Sequence, residues 1–533
     1  MRRLTVVQLL PELDSGGLPI GYSGIVMGEW GATGKFFHGG GKVDVDSITL
    51  ARQPGSDGYY EMNGAAAVLH ANLLYIGQRG MGSFLQLAGS VTVAGNINIA
   101  GTAGISGSYE LQDGNLKTEQ LRIGDSGSGA FTQSGGTNTV ATAAGFSILV
   151  MAENAGSSGT YNLSGGTLNA ETVFVGDSDQ AFFHHSGTGT HNVNDLALGI
   201  YKNSGEHGQG TYNLQGGTLN SGYVTVGNAG TGTFNQIGGD HNNSGGIVIA
   251  NIGGSSGTYN LQGGVLNSTT IYVNGRGTGG DGTLLYSGGD LKANIENRGY
   301  VELSGAGVRT IDGNVFNDGT WKVTGTHAAY TGTFTNAHAY ISDPSVNTFV
   351  DLVITENGYL LGGAGDQFHI GGNLESHSLQ PSLWSTQNVQ LFFIGDSGHD
   401  FWITGADLGA SAAGYNNNFG WGDLELDGET LNLIEGNDTP GGALYVGTIS
   451  GLAFDSNNPY LVTNIHGNGL NVYYAPWANP SLNSQTYQLA DGGTLAPVPE
   501  PETWAMLLAG LGLTFLRWRR GKPIAPAAIE RAC

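Results

Sequence analysis

One segment returns three times with every internal offset preserved, and that regularity constrains the fold more than any other feature of the chain. It reads Tyr109-Glu110-Leu111, Gly114, Leu116, then Leu121-Arg122-Ile123-Gly124. The copies are Tyr161/Leu163/Gly166/Leu168 with Val173/Val175/Gly176, Tyr212/Leu214/Gly217/Leu219 with Val224/Val226/Gly227, and Tyr259/Leu261/Gly264/Leu266 with Ile271/Val273. A weaker relative sits between them, as Phe131-Thr132-Gln133, Phe183-His184-His185, Phe234-Asn235-Gln236 and Leu284-Leu285-Tyr286, with Phe84 an earlier member. Successive anchors from 84 to 284 lie 22 to 30 residues apart.

Tyr-x-Leu and Val-x-Val alternate with period two, the mark of a strand with one buried face. The Gly-Gly pairs between them supply turn conformations that other residues resist. A strand-turn-strand unit this short cannot enclose a core alone. Stacked on its neighbours at roughly 4.8 Å per rung, it buries like on like. The fold expected is all-β: an elongated right-handed parallel β-solenoid (β-helix), with the Tyr and Phe anchors in one ladder and the Leu and Val positions in others. Asn297, Asn317, Asn336 and Asn357 continue the spacing at 20, 19 and 21 residues. Residues 41–370 are therefore assigned to solenoid repeats of about 20–25 residues. Residues 371–495 are assigned to a β-rich terminal region, with a hairpin expected around Asp427-Gly428. Residues 1–40 are an atypical opening: Arg2-Arg3 precede only a short apolar run, Val6–Leu10, which Pro11 breaks, so no clear signal peptide is expected there.

Composition narrows the function. Of 533 residues 94 are glycine, charged residues make up only 12%, and the net charge is −24. Lys and Arg total 19 and form no stripe along the body, which argues against nucleic acid as a partner. Cys533 is the single cysteine, so no disulfide framework or thiolate metal site is expected. Two constellations bear on chemistry. Asp125 and Asp177 follow equivalent strands two rungs apart, roughly 10 Å by rung spacing, a separation open to a carboxylate pair. Asn228 at the next equivalent position favours a turn role instead. His184, His185 and His191 cluster, but neighbours along a strand point to opposite faces, which works against a shared metal ion. The expectation is a structural or adhesive protein and no enzyme, with no catalytic residues, cofactor or metal. The alternative is a carbohydrate-active enzyme, a polysaccharide lyase or hydrolase, on the same scaffold.

The carboxyl-terminal end is of another kind. Val498-Pro499-Glu500-Pro501-Glu502 leads into the apolar run Thr503–Leu516, followed at once by Arg517-Trp518-Arg519-Arg520. This resembles the PEP-CTERM sorting signal of Gram-negative bacteria, here residues 496–521, with 522–533 an added tail. The resemblance implies that Pro499, Glu500 and Pro501 are read by an exosortase-type membrane peptidase. A single apolar helix carrying Trp504, Leu507, Leu508, Leu511, Leu513, Phe515 and Leu516 would cross the inner membrane. As a helix this run is roughly 20 Å long, short against a hydrocarbon core of about 30 Å, which suits a transient intermediate. Arg517, Arg519 and Arg520 would hold the cytoplasmic side. The implied destination is the cell surface or an extracellular matrix, with exopolysaccharide or other surface glycans as partners. The body is similar in repeat style to glycine-rich exported proteins and to autotransporter passenger domains.

Overall fold

The computed structural model describes residues 7–13, 19–142, 147–202, 206–275, 279–395, 398–436 and 441–499. They form a right-handed, all-β parallel solenoid of about 19 turns. Each turn in the repeat region begins with a six-residue strand. Asp57–Met62, Met81–Gln86, Ser106–Leu111, Ser128–Gln133 and Ser158–Leu163 pair in parallel, residue opposite residue, as one face. A glycine corner then leads into a longer strand such as Asn115–Ile123. A register shift between Thr118 and Gln120 bends it into two further faces. In the next turn those two halves are separate strands, Thr137–Val140 and Ile148–Met151, each on its half of the strand before.

The core follows from strict alternation. In Asn115–Ile123, Leu116, Leu121 and Ile123 are buried while Lys117 and Glu119 are exposed. On the first face the anchors stack as one continuous aromatic column. Phe36, Tyr60, Phe84, Tyr109, Phe131, Tyr161, Phe183, Tyr212, Phe234 and Tyr259 lie 4.6–5.0 Å apart, ring on ring. Like sits on like because the rung spacing equals a ring-stacking distance. Beyond residue 290 amides take over part of this role. Asn297 donates to Asn317 and Asn317 to Asn336, each at 2.7 Å and buried. Asn357 is not the next member: the register sets Ile354 beside Asn336.

The ladder is longer at both ends than the repeat pattern reaches. Pro19–Met27 already pairs in parallel with Gly41–Leu50, and Val7–Leu13 folds back on it antiparallel. At the other end the stacking continues through 371–495. The hairpin expected around Asp427-Gly428 is corrected: Trp421–Glu425 pairs with Thr386–Phe393 and Ala443–Ser450, while Thr430–Glu435 pairs with Gly398–Ile403 and Leu461–His466. Asp427-Gly428 thus turns a corner between two faces. The period fades there because loops 377–385, 404–420 and 451–460 lengthen the turns while the strands keep their places. Tyr487–Ala490 and Thr494–Pro497 close the end as an antiparallel pair.

Candidate functional site

The last core side chain is Val498, fully buried among Ala443, Tyr445 and Tyr473, and its amide donates to the Tyr474 carbonyl at 2.9 Å. Pro499 follows it and is exposed. The sorting segment therefore starts where the core stops. Glu500, Pro501, the helix expected over Trp504–Leu516 and the arginines Arg517, Arg519 and Arg520 lie outside the described residues. Among the described residues no helix is long and apolar enough to cross a membrane, and the helical turns are two short 3-10 segments, Ala412–Tyr415 and Pro480–Leu482.

Inside the barrel runs a line of polar groups that the repeat comparison leaves unexplained. Turns alternate between Tyr-x-Leu (or Met) and Phe-x-Gln (or His), and each polar side chain meets the tyrosine hydroxyl of the following turn. Tyr109 donates to Gln86 at 2.5 Å, Tyr161 to Gln133 at 2.6 Å and Tyr259 to Gln236 at 2.7 Å. His38 and His185 sit 2.8 and 2.9 Å from Tyr60 and Tyr212 in the same way. The other end of each polar group donates to a corner carbonyl, as Gln133 to Gly136 and His185 to Gly189. Burial pushes Tyr109, Tyr212 and Tyr259 well above the ordinary phenol range, so all three stay neutral donors. The series ends at Tyr286, whose hydroxyl bonds the backbone carbonyls of Gly289 and Thr310.

Of the clustered histidines, His185 and His191 both enter the core while His184 faces outward, half-buried, with its Nδ1 3.2 Å from Asn213 Nδ2. The core pair converge on one hydroxyl: Tyr212 lies 2.9 Å from His185 Nδ1 and 3.0 Å from His191 Nδ1. His185 Nε2 donates to Gly189 O, so its Nδ1 is the acceptor and takes the Tyr212 proton. His191 must then donate from Nδ1 to the same oxygen. Its Nε2 carries a lone pair, buried and without a hydrogen-bond partner among the described residues. His241 repeats the arrangement on Tyr259 and is held at its other nitrogen by Ser221. Burial lowers all three imidazoles, His241 to about 3, so each is neutral at physiological pH.

Asp125 and Asp177 occupy equivalent corners separated by the turn that carries Ala152 and Glu153. Their amides donate to Ile99 and Met151 of the preceding turns, and Asp125 accepts from Asn154 at 3.0 Å. Both are thus placed as corner residues.

On the outer surface the sequence reasoning missed an amide column. Asn192 donates to Asn169, Asn220 to Asn192, Asn242 to Asn220 and Asn267 to Asn242, at 2.8, 2.9, 3.1 and 3.0 Å. These asparagines floor a groove of about 660 Å³ running along the solenoid axis. The groove is concave because its walls are small residues, among them Ala141, Ala170, Gly222 and Ser244. Among the described residues its one charged lining residue is Glu171, whose Oε2 accepts from the amide and hydroxyl of Ser147. The signal was available: Asn recurs in the phase of Thr-Leu-Asn at 169 and 220 and Val-Leu-Asn at 267, one residue beyond the Leu used to define the repeat.

The family profile of the PEP-CTERM protein-sorting motif matches residues 497–521. No curated protein and no solved structure matches the chain. The motif marks the protein for export toward the cell surface.

Proposed function

We propose that this is an exported surface or extracellular-matrix protein of structural or adhesive type, sorted by an exosortase-type peptidase acting at Pro499-Glu500-Pro501 and then held at the surface or in the matrix. The observation that carries this reading is the junction at Val498. The solenoid wall ends there and Pro499-Glu500-Pro501 follows at once, so the whole body lies on one side of the cleavage signal. The apolar stretch Trp504–Leu516 serves as the temporary inner-membrane helix, and Arg517, Arg519 and Arg520 keep the carboxyl terminus cytoplasmic.

A non-enzymatic role fits the surface chemistry. Glycoside hydrolysis needs two carboxylates across a cleft, one of them with a raised pKa. The asparagine groove holds one carboxylate, and that one is bound to Ser147. Asp44, beside Asp46 at the amino-terminal end, is held below the usual carboxylate range by Lys42, the wrong direction for a catalytic acid. The test is location. Fractionation of host cells should find the protein in the surface or matrix fraction, and removal of the host exopolysaccharide should release it to the medium. Protein confined to the cytoplasm would overturn the reading.

A further inference from the structure

We propose that the asparagine-floored groove binds an extended, uncharged glycan strand laid along the solenoid axis. This rests on the surface reading above for its biological setting, while the binding itself stands on geometry. Each interior asparagine of the column spends one Nδ2–H and one Oδ1 lone pair on its neighbours. An amide carries two donors and two acceptor sites. That leaves each of them, on a residue lining the groove, one N–H and one lone pair that the ladder does not use, repeating at the rung spacing of roughly 4.8 Å. From Asn169 to Asn267 the array covers five rungs, about 19 Å. A ligand that satisfies such an array must offer both donors and acceptors at a regular interval along a straight chain. Hydroxyl and ring-oxygen groups of a linear polysaccharide do so.

Two further observations fix the chemical class. The lining carries a single charge, Glu171, and the chain as a whole is strongly acidic at −24. An anionic polymer would be repelled, and among the described residues no cationic side chain lines the groove to offset that. Beside the groove, Tyr223 follows Gly222 in the wall and is 59% exposed. Its ring lies over Gly245, where a Cβ would come within 3.1 Å of it. An exposed aromatic face next to convergent amides suits the apolar C–H face of a sugar ring.

The test compares matched amide columns. Asn213, Asn235 and Asn260 form a second ladder on another face, with bonds of 2.8 and 2.7 Å. The full-length protein, Asn220→Leu, Asn235→Leu and Tyr223→Ala would be titrated with soluble glucan, mannan and galactan, with polygalacturonate and with a polyglucosamine. The wild type should bind at least one neutral polymer and show no comparable affinity for polygalacturonate. Asn220→Leu and Tyr223→Ala should weaken that binding at least tenfold, while Asn235→Leu, which breaks the same kind of ladder, leaves it unchanged. Circular dichroism of each variant confirms that the fold is kept. Failure to bind any of the three neutral polymers, preference for a charged one, or equal effects of Asn220→Leu and Asn235→Leu would each overturn the proposal. None of these outcomes touches cell location, so the surface reading stands or falls separately.

Discussion

His191 ends in a buried nitrogen that has no hydrogen-bond partner among the described residues, and it is one of three buried imidazoles that set how the middle of the solenoid responds to acid. In the unfolded chain a histidine takes up a proton near pH 6.5. In the fold burial holds His185, His191 and His241 below that value, His241 at about 3. The sign follows: stability is full above about pH 6.5, and it falls as pH drops because the unfolded state binds protons that the native state refuses. Each imidazole contributes a loss of about 1.4 kcal/mol per pH unit until its native pKa is reached. Hydrogen exchange should therefore show the turns from 183 to 241 opening first between pH 6.5 and 4.5, with the rest of the ladder protected. His191→Leu removes one of the three. Leu168 and Leu219 flank that position in register, so leucine fits the column. The variant should lie within about 1 kcal/mol of wild type at pH 7.5 and be more stable than wild type at pH 5, read by thermal melts at both. Corner residues make a second case. Gly124 has φ +74°, yet alanine holds a similar conformation at the corresponding corners of alternate turns, at Ala51, Ala100 and Ala152. What separates them is space: a Cβ on Gly124 would lie 2.0 Å from the Ser158 carbonyl oxygen. Gly124→Ala should destabilise by about 2–4 kcal/mol, measured by chemical denaturation, because backbone must move.

At the scale of the strand, the unit of stability is a pair of turns. Tyr-x-Leu and Phe-x-Gln turns alternate because a stacked tyrosine brings a hydroxyl into an apolar column, and the preceding glutamine or histidine receives it. Gln86→Leu strands the Tyr109 hydroxyl and should cost about 1–3 kcal/mol, and adding Tyr109→Phe should recover part of that. A double-mutant cycle on thermal unfolding measures the coupling, and additive effects would mean the two act independently. Facing also matters: Leu214 is fully buried and Gln215 exposed, so Leu214→Asp should unfold neighbouring turns by placing a charge in the column, whereas Gln215→Asp should be tolerated. The parallel stacking and the aromatic ladder were readable in the sequence because the offsets from Tyr109 to Gly124 repeat without change, and period-two patterns specify a face directly. The polar partners were not, since Gln133 and His185 share no chemical type with Leu111 and pairing between turns lies about 25 residues away in the chain. Asn357 misled for a related reason: it keeps the spacing but falls in a turn, and Ile354 holds the rung. The groove was hidden because its asparagines lie on the outward positions of their strands, off the buried period-two positions that mark the core.

Across the whole molecule, each turn packs chiefly on its nearest neighbours, so the solenoid behaves as a one-dimensional stack whose ends are its weak points. Antiparallel strands close both: Val7–Leu13 at one end and the Tyr487–Ala490 and Thr494–Pro497 pair at the other. Pro499-Glu500-Pro501, within the matched span 497–521, follows directly beyond the second closure, so the signal can be altered without touching the fold. Replacing Glu500 and Pro501 with alanine leaves the apolar run and its arginines intact, so membrane insertion should proceed. Peptidase processing should stop, and full-length protein should build up in the inner membrane with the solenoid on the far side. Replacing Arg517, Arg519 and Arg520 with glutamate should act differently, disturbing orientation and retention, because the positive charges set topology. Neither change reaches the core, whose last member is Val498, so the solenoid itself should melt as wild type in both variants. Mass spectrometry of the surface fraction from wild-type cells supplies the direct measurement. Mature protein ending near Pro499–Pro501 is the expected result. If the surface form still carries Trp504 to Cys533, the proposed sorting mechanism is wrong, even though the solenoid and its groove would stand.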